Sequence, residues 1–333
     1  MMYDEDFLGR LRSGLHAALP AWGLPEATKL RLLTISENAT YLAETPEGER
    51  RIFRVHRPDY HTEAEIRSEL AWIEALGNDG VVATPRPLPA LDGRRLVDFF
   101  DGETHRYAVA FEFMSGREPD AESDLVRWYG VLGEITARLH QHSRGWARPE
   151  GFARKLWSFE TIIGPEAHWG DWRTAPGLDA DGLATLEEAE TLLAGQTAAY
   201  GSGPERFGLV HCDMRTANLL VDGERLGVID FDDCGLSWYA YDFAASVSFM
   251  EHEPFIPALM RAWVEGYRRV APFSAAEEAA LPMFVMLRRM QLTAWIASHA
   301  ETPTAQAMGD AYVRGSVALA AEYLRQNVLE NVA

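Results

Sequence analysis

The chain has 333 residues, of which 47% are hydrophobic and 24% charged, a composition typical of a globular protein with a sizeable core. At roughly 150 residues per domain, this length favours two domains or lobes. The formal net charge of −19 comes from 31 basic and 50 acidic residues, and it disfavours a nucleic-acid partner because such a field repels phosphate backbones. The acidic surface is interpreted as a solvated one, with attraction of a cationic substrate as the alternative.

Export and membrane signals are not expected from this sequence. The first residues lack a basic region followed by an apolar stretch, and no apolar run reaches the roughly 18 residues that span a bilayer. The two cysteines, Cys212 and Cys234, are too few for a disulfide framework or a four-cysteine zinc site. The sequence therefore predicts a cytoplasmic protein without a membrane partner, and it leaves the oligomeric state open.

The first third of the chain reads as a small antiparallel sheet that carries helices. Residues 5–19 are amphipathic up to Pro20, and residues 61–76 repeat apolar positions at helical spacing. Turn signals at Pro46-Glu47-Gly48 and Asp101-Gly102 separate alternating segments and so predict two hairpins. The predicted strands of these hairpins are Tyr41–Glu44, Arg51–Val55, Arg94–Phe99 and Arg106–Met114.

Helical patterns dominate after residue 116. Ser123 is expected to cap the first helix, and Ser274 with Glu277 forms a capping box before another. The other predicted helices are 184–199, 255–270, 275–299 and 305–328, and one strand pair is predicted at 218–221 and 226–231. The fold class is therefore α+β, with a β N-lobe over residues 1–113, a mainly helical C-lobe over 114–333, and a ligand site expected in a cleft between them.

The segment 209–233, LVHCDMRTANLLVDGERLGVIDFDD, contains the decisive pattern. Asp213 precedes a hairpin in which Asn218 begins one strand and Asp230 ends the return strand, so all three side chains are expected to converge at its open end. Oxygen ligands of this kind suit Mg²⁺, which keeps waters and substrate phosphates as its other ligands. Arg215 is the one basic side chain nearby in sequence.

Acidic residues also cluster in turns simply because turns are solvated. Here the acids lie among apolar residues, and Val228, Ile229 and Phe231 predict that Asp230 is shielded from solvent. A buried carboxylate is costly unless a metal or substrate compensates for it. The pattern therefore favours a metal site over a solvated turn.

These residues resemble the catalytic and metal-binding loops of the aminoglycoside phosphotransferase / choline kinase-like family, relatives of the protein kinases. The usual family form is His-Gly-Asp-x4-Asn followed by Ile-Asp-(Phe/Trp), and Cys212 stands here in place of the glycine. Tyr241-Asp242-Phe243-Ala244, Leu132-Gly133 to Leu139-His140 and Ser68-Glu69-Leu70 extend the resemblance over most of the chain. It implies a bilobal protein-kinase-like fold. Among the branches of the family, the sequence most resembles the stress-response Ser/Thr kinases and the homoserine kinases.

The resemblance also implies roles for the residues of the segment. Asp213 would be the catalytic base, Asn218 and Asp230 would hold Mg²⁺, and His211 would mainly order the loop. Asp242 would brace that loop by accepting backbone hydrogen bonds. Asp232 and Asp233 could contact a second metal ion or a cationic substrate. The alternative is that both are solvated turn residues. Cys212 and Cys234 are interpreted as packed thiols because sulfur is a poor ligand for Mg²⁺.

The predicted nucleotide site departs from the protein-kinase pattern. Where a lysine is usual, strand 51–55 offers Arg54, and the resemblance makes Glu69 its partner; a surface arginine is the alternative. The loop Ser36-Glu37-Asn38-Ala39-Thr40 has no glycine, so Ser36 and Asn38 are the expected phosphate-loop residues. Glu112 and Met114 resemble the backbone hinge that binds adenine. Aromatic residues between Trp157 and Trp172 serve either substrate contact or packing.

The function implied by the resemblance is transfer of the γ-phosphate of ATP, with Mg²⁺, to a hydroxyl of a small molecule such as an amino alcohol, amino acid, sugar or aminoglycoside. Two alternatives remain at this point. One is a Ser/Thr protein kinase of the stress-response type. The other is a non-catalytic nucleotide-binding pseudokinase, favoured by the missing lysine and glycines but opposed by the presence of Asp213, Asn218 and Asp230 together.

Overall fold

The computed structural model describes residues 5–36, 38–120 and 124–330. The chain divides into two compact units, each with its own internal contacts. The first consists of Met1–Ser115 with Ala147–Arg154, and the second of Gly116–Trp146 with Lys155–Ala333.

The first unit is an antiparallel sheet with two helices. Its strands are β1 (Lys29–Ile35), β2 (Ala39–Glu44), β3 (Arg50–Val55), β4 (Pro87–Leu88), β5 (Val97–Phe100) and β6 (His105–Glu112). They pair in the order β1-β2-β3-β6-β4, and β5 also pairs with β6. The two predicted hairpins are confirmed, and the register places Arg54 opposite Thr40 on one side and Val109 on the other.

Helices α1 (Glu5–Ala18) and α2 (Glu63–Asn78) belong to the same unit. A 3-10 turn at Leu19–Trp22 follows α1, because Pro20 cannot continue the α-helical hydrogen bonding. Thr62 and Glu65 form a capping box at the start of α2, and the predicted apolar stripe of that helix is buried. The core of the unit packs α1 and the ring of Trp22 against Tyr41 and Phe53 of the sheet.

The second unit is mainly helical, as predicted. Its helices are α3 (Leu125–Gly145), α4 (Phe159–Ile162), α5 (Ala180–Tyr200), α6 (Tyr241–Ser246), α7 (Ile256–Arg268), α8 (Ala275–Ala279), α9 (Leu281–Ser298) and α10 (Pro303–Glu330). Its strands are β7 (Phe207–Val210), β8 (Leu219–Asp222), β9 (Arg225–Val228) and β10 (Gly235–Trp238), which pair as β7 with β10 and β8 with β9.

Close packing of α3 on α7 depends on glycine. A Cβ atom on Gly133 would lie 2.0 Å from the carbonyl oxygen of Trp263, and one on Gly266 would lie 2.0 Å from that of Gly130. The two backbones therefore approach to a distance that no larger residue allows. This packing holds α3 firmly, and α3 supports strand β7 and the loop that follows it.

Three predictions need correction or lie outside the described residues. The helix predicted at 275–299 is two helices, α8 and α9, because Pro282 stands in the first turn of the second and ends the first. Strand β9 ends at Val228 rather than at residue 231. Ser123 and Glu37 lie outside the described residues, and Asp124 caps α3 by accepting a hydrogen bond from the N–H of Arg127. The capping box at Ser274 is confirmed.

Within the described residues, every helix is either too short or too polar to cross a bilayer.

Candidate catalytic site

A buried aspartate binds the loop that follows β7 through backbone hydrogen bonds. Asp242, in the first turn of α6, accepts hydrogen bonds from the backbone N–H groups of His211 (3.2 Å) and Cys212 (2.7 Å). Its Oδ2 atom also lies 2.9 Å from Nε2 of His140 on α3. Burial lowers the pKa of His140 although Asp242 opposes this, so the ring is neutral near pH 7 and donates to the carboxylate. The predicted bracing role of Asp242 is confirmed.

His211 is completely buried inside this loop. Its Nδ1 atom accepts a hydrogen bond from the backbone N–H of Asp213 at 3.2 Å, and its ring packs 4.4 Å from that of Phe231. The side chain therefore bonds the loop to itself and orients the residue that follows it.

Cys212 occupies a strained backbone position. Its φ of 65° lies in the left-handed region that favours glycine, the residue usual at this position of the family form. The thiol is buried, and burial raises its pKa, so it is a protonated packing group. Cys234 is also a buried thiol outside any disulfide, which agrees with the interpretation of both cysteines as packed groups.

Replacing Cys212 by glycine is expected to leave turnover intact and the free energy of unfolding within about 1 kcal/mol of the native value. Relief of the left-handed strain offsets about that much of the packing lost with the thiol. Urea unfolding and steady-state kinetics check this. Cys234→Gly is the matched control, because the φ of Cys234 is not positive, and it should be the more destabilised of the two. Equal destabilisation would show that the strain at Cys212 is negligible.

Asp213 and Asn218 converge as predicted. Asn218 lies in a short 3-10 turn just before β8, and its Nδ2 atom donates to Oδ2 of Asp213 at 2.7 Å and to the carbonyl of Asp213 at 2.9 Å. The carbonyl of Asn218 accepts a hydrogen bond from the N–H of Ile229, which brings Asp230 beside it. Since both bonds to Asp213 use the amide nitrogen of Asn218, its amide oxygen is the atom left to bind a cation.

The expectation that Asp230 is shielded from solvent is wrong. Val228 and Phe231 are buried, but Asp230 itself is exposed. The reason is that β9 ends at Val228 and the backbone then turns, with a φ of 62° at Asp230, so the strand predicted over 226–231 does not reach the carboxylate. An exposed carboxylate is still an oxygen ligand of the kind that a hard divalent cation takes.

The sequence analysis did not identify the arginine that forms the shorter ion pair with Asp213. Arg288 of α9 donates from Nη2 to Oδ1 of Asp213 at 2.9 Å, and its side chain is 2% exposed. Arg215, the basic side chain noted in the sequence, lies further away, with Nε 3.4 Å from Oδ2. Burial alone would lower the pKa of Arg288, but Tyr241 and Asp213 outweigh it and the net shift is upward. The one available signal was an Arg-Arg pair within an otherwise apolar helix, since buried arginines need acidic partners.

In the first unit, Arg54 and Glu69 form the predicted pair. Nη2 of Arg54 lies 2.6 Å from Oε2 of Glu69, and both side chains are buried, so Arg54 is not a surface arginine. Ser36 and Asn38 lie in the turn between β1 and β2, where the N–H of Ser36 donates to the carbonyl of Asn38 and Oδ1 of Asn38 accepts from the N–H of Arg57.

The end of β6 holds the predicted hinge residues. Glu112 is exposed, and its N–H donates to the carbonyl of Arg86 at 3.0 Å. The N–H of Glu112 is therefore already used within the protein, and the hinge role of Glu112 and Met114 stays a prediction.

Asp232 and Asp233 follow the hairpin closely. Asp232 is buried and Asp233 half-buried, so neither is a fully solvated turn residue. The carbonyl of Asp233 accepts a hydrogen bond from Nε1 of Trp157 at 2.9 Å. Trp157, Trp169 and Trp172 are buried, which favours packing as their role, and the ring of Trp169 lies 5.1 Å from the guanidinium carbon of Arg288.

A model of the phosphotransferase enzyme family (APH) matches residues 30–273, well over half of the chain. The chain belongs to this family. A solved structure of a microcompartment-associated aminopropanol kinase is 46% identical, with a TM-score of 0.87 over 94% of this chain and 97% of that chain. The amicoumacin kinase hAmiN, solved in complex with AMP-PNP, Ca²⁺ and Ami, is 22% identical, with a TM-score of 0.74 over 95% of this chain and 93% of that chain.

A homoserine kinase of Acidiphilium cryptum is 29% identical over 254 residues, which are 74% of this chain and 73% of that protein. The family and the bilobal protein-kinase-like fold implied by the sequence motifs are thereby confirmed. The chain is a phosphotransferase that uses ATP and phosphorylates a hydroxyl group of a small molecule.

Proposed function

We propose that this phosphotransferase acts on a small amino alcohol and that its divalent cation is Mg²⁺. The observation that carries the substrate class is the 46% identity to the aminopropanol kinase, which extends over nearly the full length of both chains. The donor set supports the choice of metal, because the amide oxygen of Asn218 and the carboxylate of Asp230 are hard oxygen ligands without sulfur or imidazole.

Asp213 would act as the base that receives the acceptor's proton. The hydroxyl oxygen forms its bond to the γ-phosphorus while the bond to the bridging oxygen breaks, and the products are a phosphate monoester and ADP. Asn218 holds Asp213 in place with its amide nitrogen and would bind the cation with its amide oxygen, together with Asp230. When bound, Mg²⁺ neutralises the negative charge that develops on the phosphate oxygens.

Residues 1–113 would form the nucleotide-binding lobe and residues 114–333 the catalytic and substrate-binding lobe. Arg54, oriented by Glu69, would bind phosphate oxygens through its guanidinium fork. Ser36 and Asn38 would line the phosphates, with Asn38 already anchored to the backbone of Arg57. The backbone of Glu112 and Met114 would pair with adenine.

Arg54→Ala is expected to lower kcat/KM for ATP by about 10- to 100-fold, since a hydrogen bond to a charged group contributes roughly 1.5–3 kcal/mol. It should also destabilise the protein by about 3–5 kcal/mol, because Glu69 is left buried without a partner. Steady-state kinetics with varied ATP measure the first effect. Arg54→Lys keeps the charge and should retain most of the activity and stability.

Lys29→Ala and Lys155→Ala are the controls for Arg54, because these are the two lysines of the chain and neither lies at the matching strand position. Both should change kcat/KM for ATP less than about twofold. A lysine substitution that weakens ATP turnover more than Arg54→Ala would contradict the assignment of Arg54.

The charge of the site region fits an amino alcohol. Asp230, Asp232 and Asp233 lie within four residues and offer more negative charge than one Mg²⁺ neutralises. We infer that Asp232 and Asp233 face either a second metal ion or the ammonium group of the acceptor. A carboxylate on the acceptor, as in homoserine, would be repelled by the same residues.

An acceptor panel tests the substrate class. The purified protein is incubated with Mg²⁺, ATP and one acceptor at a time: an isomer of aminopropanol, ethanolamine, choline, homoserine, an aminoglycoside or a Ser-containing protein. The rate of ADP release is measured for each acceptor, and phosphorus NMR identifies the phosphorylated product. We expect kcat/KM for an aminopropanol isomer to exceed that for every other acceptor by about tenfold or more. A preference for homoserine, or for the protein, would overturn the proposal.

A further inference from the structure

An arginine is held rigidly at the centre of the second unit. Helix α9 is buried along almost its whole length, and Arg288 lies in its middle. Besides the bond to Asp213, Nε of Arg288 donates to Oγ of Ser248 at 2.9 Å and Nη1 donates to Oε1 of Gln291 at 3.1 Å. All three guanidinium nitrogens therefore have fixed acceptors, and the ring of Trp169 packs against the group.

The carboxylate of Asp213 is held from two independent elements. Asn218, next to the predicted metal site, holds Oδ2, whereas Arg288 on α9 holds Oδ1. With one bond on each oxygen, the plane of the carboxylate can no longer rotate about its χ2 angle. The lone pairs that remain then have defined directions.

A purely structural reason for this ion pair is weak. Buried ion pairs contribute little net stability compared with apolar residues of similar volume, because both charges must be desolvated. Arg288 needs an acidic partner because its side chain is only 2% exposed, but this need does not explain why the partner is the same carboxylate that Asn218 holds. The pair is better explained by what it does to the direction of the Asp213 carboxylate.

We propose that Arg288 is a positioning residue that aims the Asp213 carboxylate at the acceptor hydroxyl. This inference rests on the proposed role of Asp213 as the base. Arg288 itself touches neither acceptor nor nucleotide in this scheme, and Ser248, Gln291 and Trp169 set its own orientation. Loss of the Arg288 fork leaves Asp213 ionised but free to rotate, so the chemical step slows while binding persists.

The neighbouring Arg289 provides a matched control. It is 1% exposed on the same helix, and it pairs with Glu251 through Nη1 at 2.9 Å and with Ser316 through Nε at 2.7 Å. Its bonds therefore serve the packing of α9 on α10 and do not reach Asp213. A substitution of Arg289 disturbs a buried arginine network to a similar degree without releasing the base.

The test compares Arg288→Gln, Arg288→Lys and Arg289→Gln in kcat, in KM for both substrates and in ATP affinity by calorimetry. Misplacement of a reacting group by about 1 Å costs about 100-fold, so Arg288→Gln should lower kcat about 10- to 100-fold with KM and ATP affinity within about threefold. Arg288→Lys should recover part of kcat, because a point charge replaces the fork. Arg289→Gln should lower the melting temperature with kcat within about threefold of wild type.

A kcat of Arg288→Gln within about threefold of wild type, or an equal kcat loss in Arg289→Gln, overturns the positioning role. If Arg288→Gln does not fold, Arg288→Lys decides the matter: a kcat at least about fivefold lower, with unchanged KM, supports the role, and an unchanged kcat overturns it.

The double variant Asp213→Asn/Arg288→Gln separates this inference from the proposed function. If Arg288 acts through Asp213, the double variant is no slower than Asp213→Asn alone. Full activity in Asp213→Asn would instead refute the assignment of the base itself, whatever Arg288→Gln does. Inactivity of Asp213→Asn with full activity of Arg288→Gln refutes the positioning role alone.

Discussion

Asp213→Asn is expected to lower kcat by about 10²–10⁴-fold, the contribution typical of a base or positioning group, while ATP affinity stays within a few-fold of wild type. The amide cannot accept the proton of the acceptor hydroxyl, whereas Asp213 is not among the residues proposed to contact the nucleotide. The structure adds a second expected effect. The buried guanidinium of Arg288 loses its anionic partner at Asp213 Oδ1, so the melting temperature should fall as well.

Two measurements keep these effects apart. Kinetics are run well below the melting temperature of the variant, and ATP affinity is measured by calorimetry on the same preparation. Asp222→Asn is the control, an exposed aspartate at the other end of the same hairpin, and it should change neither quantity. Retention of more than about a tenth of kcat in Asp213→Asn would refute the assignment of the base.

Asp230→Ala is expected to abolish turnover, by about 100-fold or more, and to make ATP binding insensitive to Mg²⁺. The reason is that Asp230 would supply the charged ligand at the proposed metal site, and the amide oxygen of Asn218 would supply a neutral one. Because Asp230 is exposed, its removal relieves no buried charge. The melting temperature without metal should therefore change by only a few degrees, the range typical of a surface substitution.

Isothermal titration of ATP in Mg²⁺ and in EDTA, on wild type and on Asp230→Ala, decides the role of this residue. Wild type should bind ATP more tightly in Mg²⁺, and the variant should bind equally in both buffers. Asp222→Ala, on the same hairpin, is the control and should keep the metal dependence of wild type. Equal affinity of the wild-type protein in both buffers would show that Asp230 is not a metal ligand.

Local sequence determined most of the secondary structure and the convergence of Asp213 with Asn218. The capping box at Ser274, the turn residues of the hairpins and the apolar stripes act over a few residues, so the sequence shows them directly. The short spacing from Asp213 to Asn218 is also a local feature, because the two positions are only five residues apart. Both residues lie on one loop and its hairpin, and the predicted meeting of their side chains is therefore a local event.

The exposure of Asp230 was set by its backbone angle, which the sequence pattern did not predict. The apolar residues around it predicted a shielded carboxylate, but a left-handed residue just beyond β9 turned the side chain into solvent. Strand periodicity predicts a side chain's face only while the extended conformation lasts. The end of a short strand depends on the pairing of its partner, which single residues do not report.

The electrostatic partners depended on tertiary structure in different degrees. Arg54 and Glu69 are 15 residues apart and were paired by resemblance, whereas Arg288 is 75 residues from Asp213 and no local pattern connects them. Asp242 lies 30 residues from Cys212, and it was placed correctly because it belongs to a motif. By itself, the sequence determined which polar residue types lie on the loop and its hairpin. Only the packing of α9 decided which cation holds Asp213, because that contact exists only after the helices have assembled.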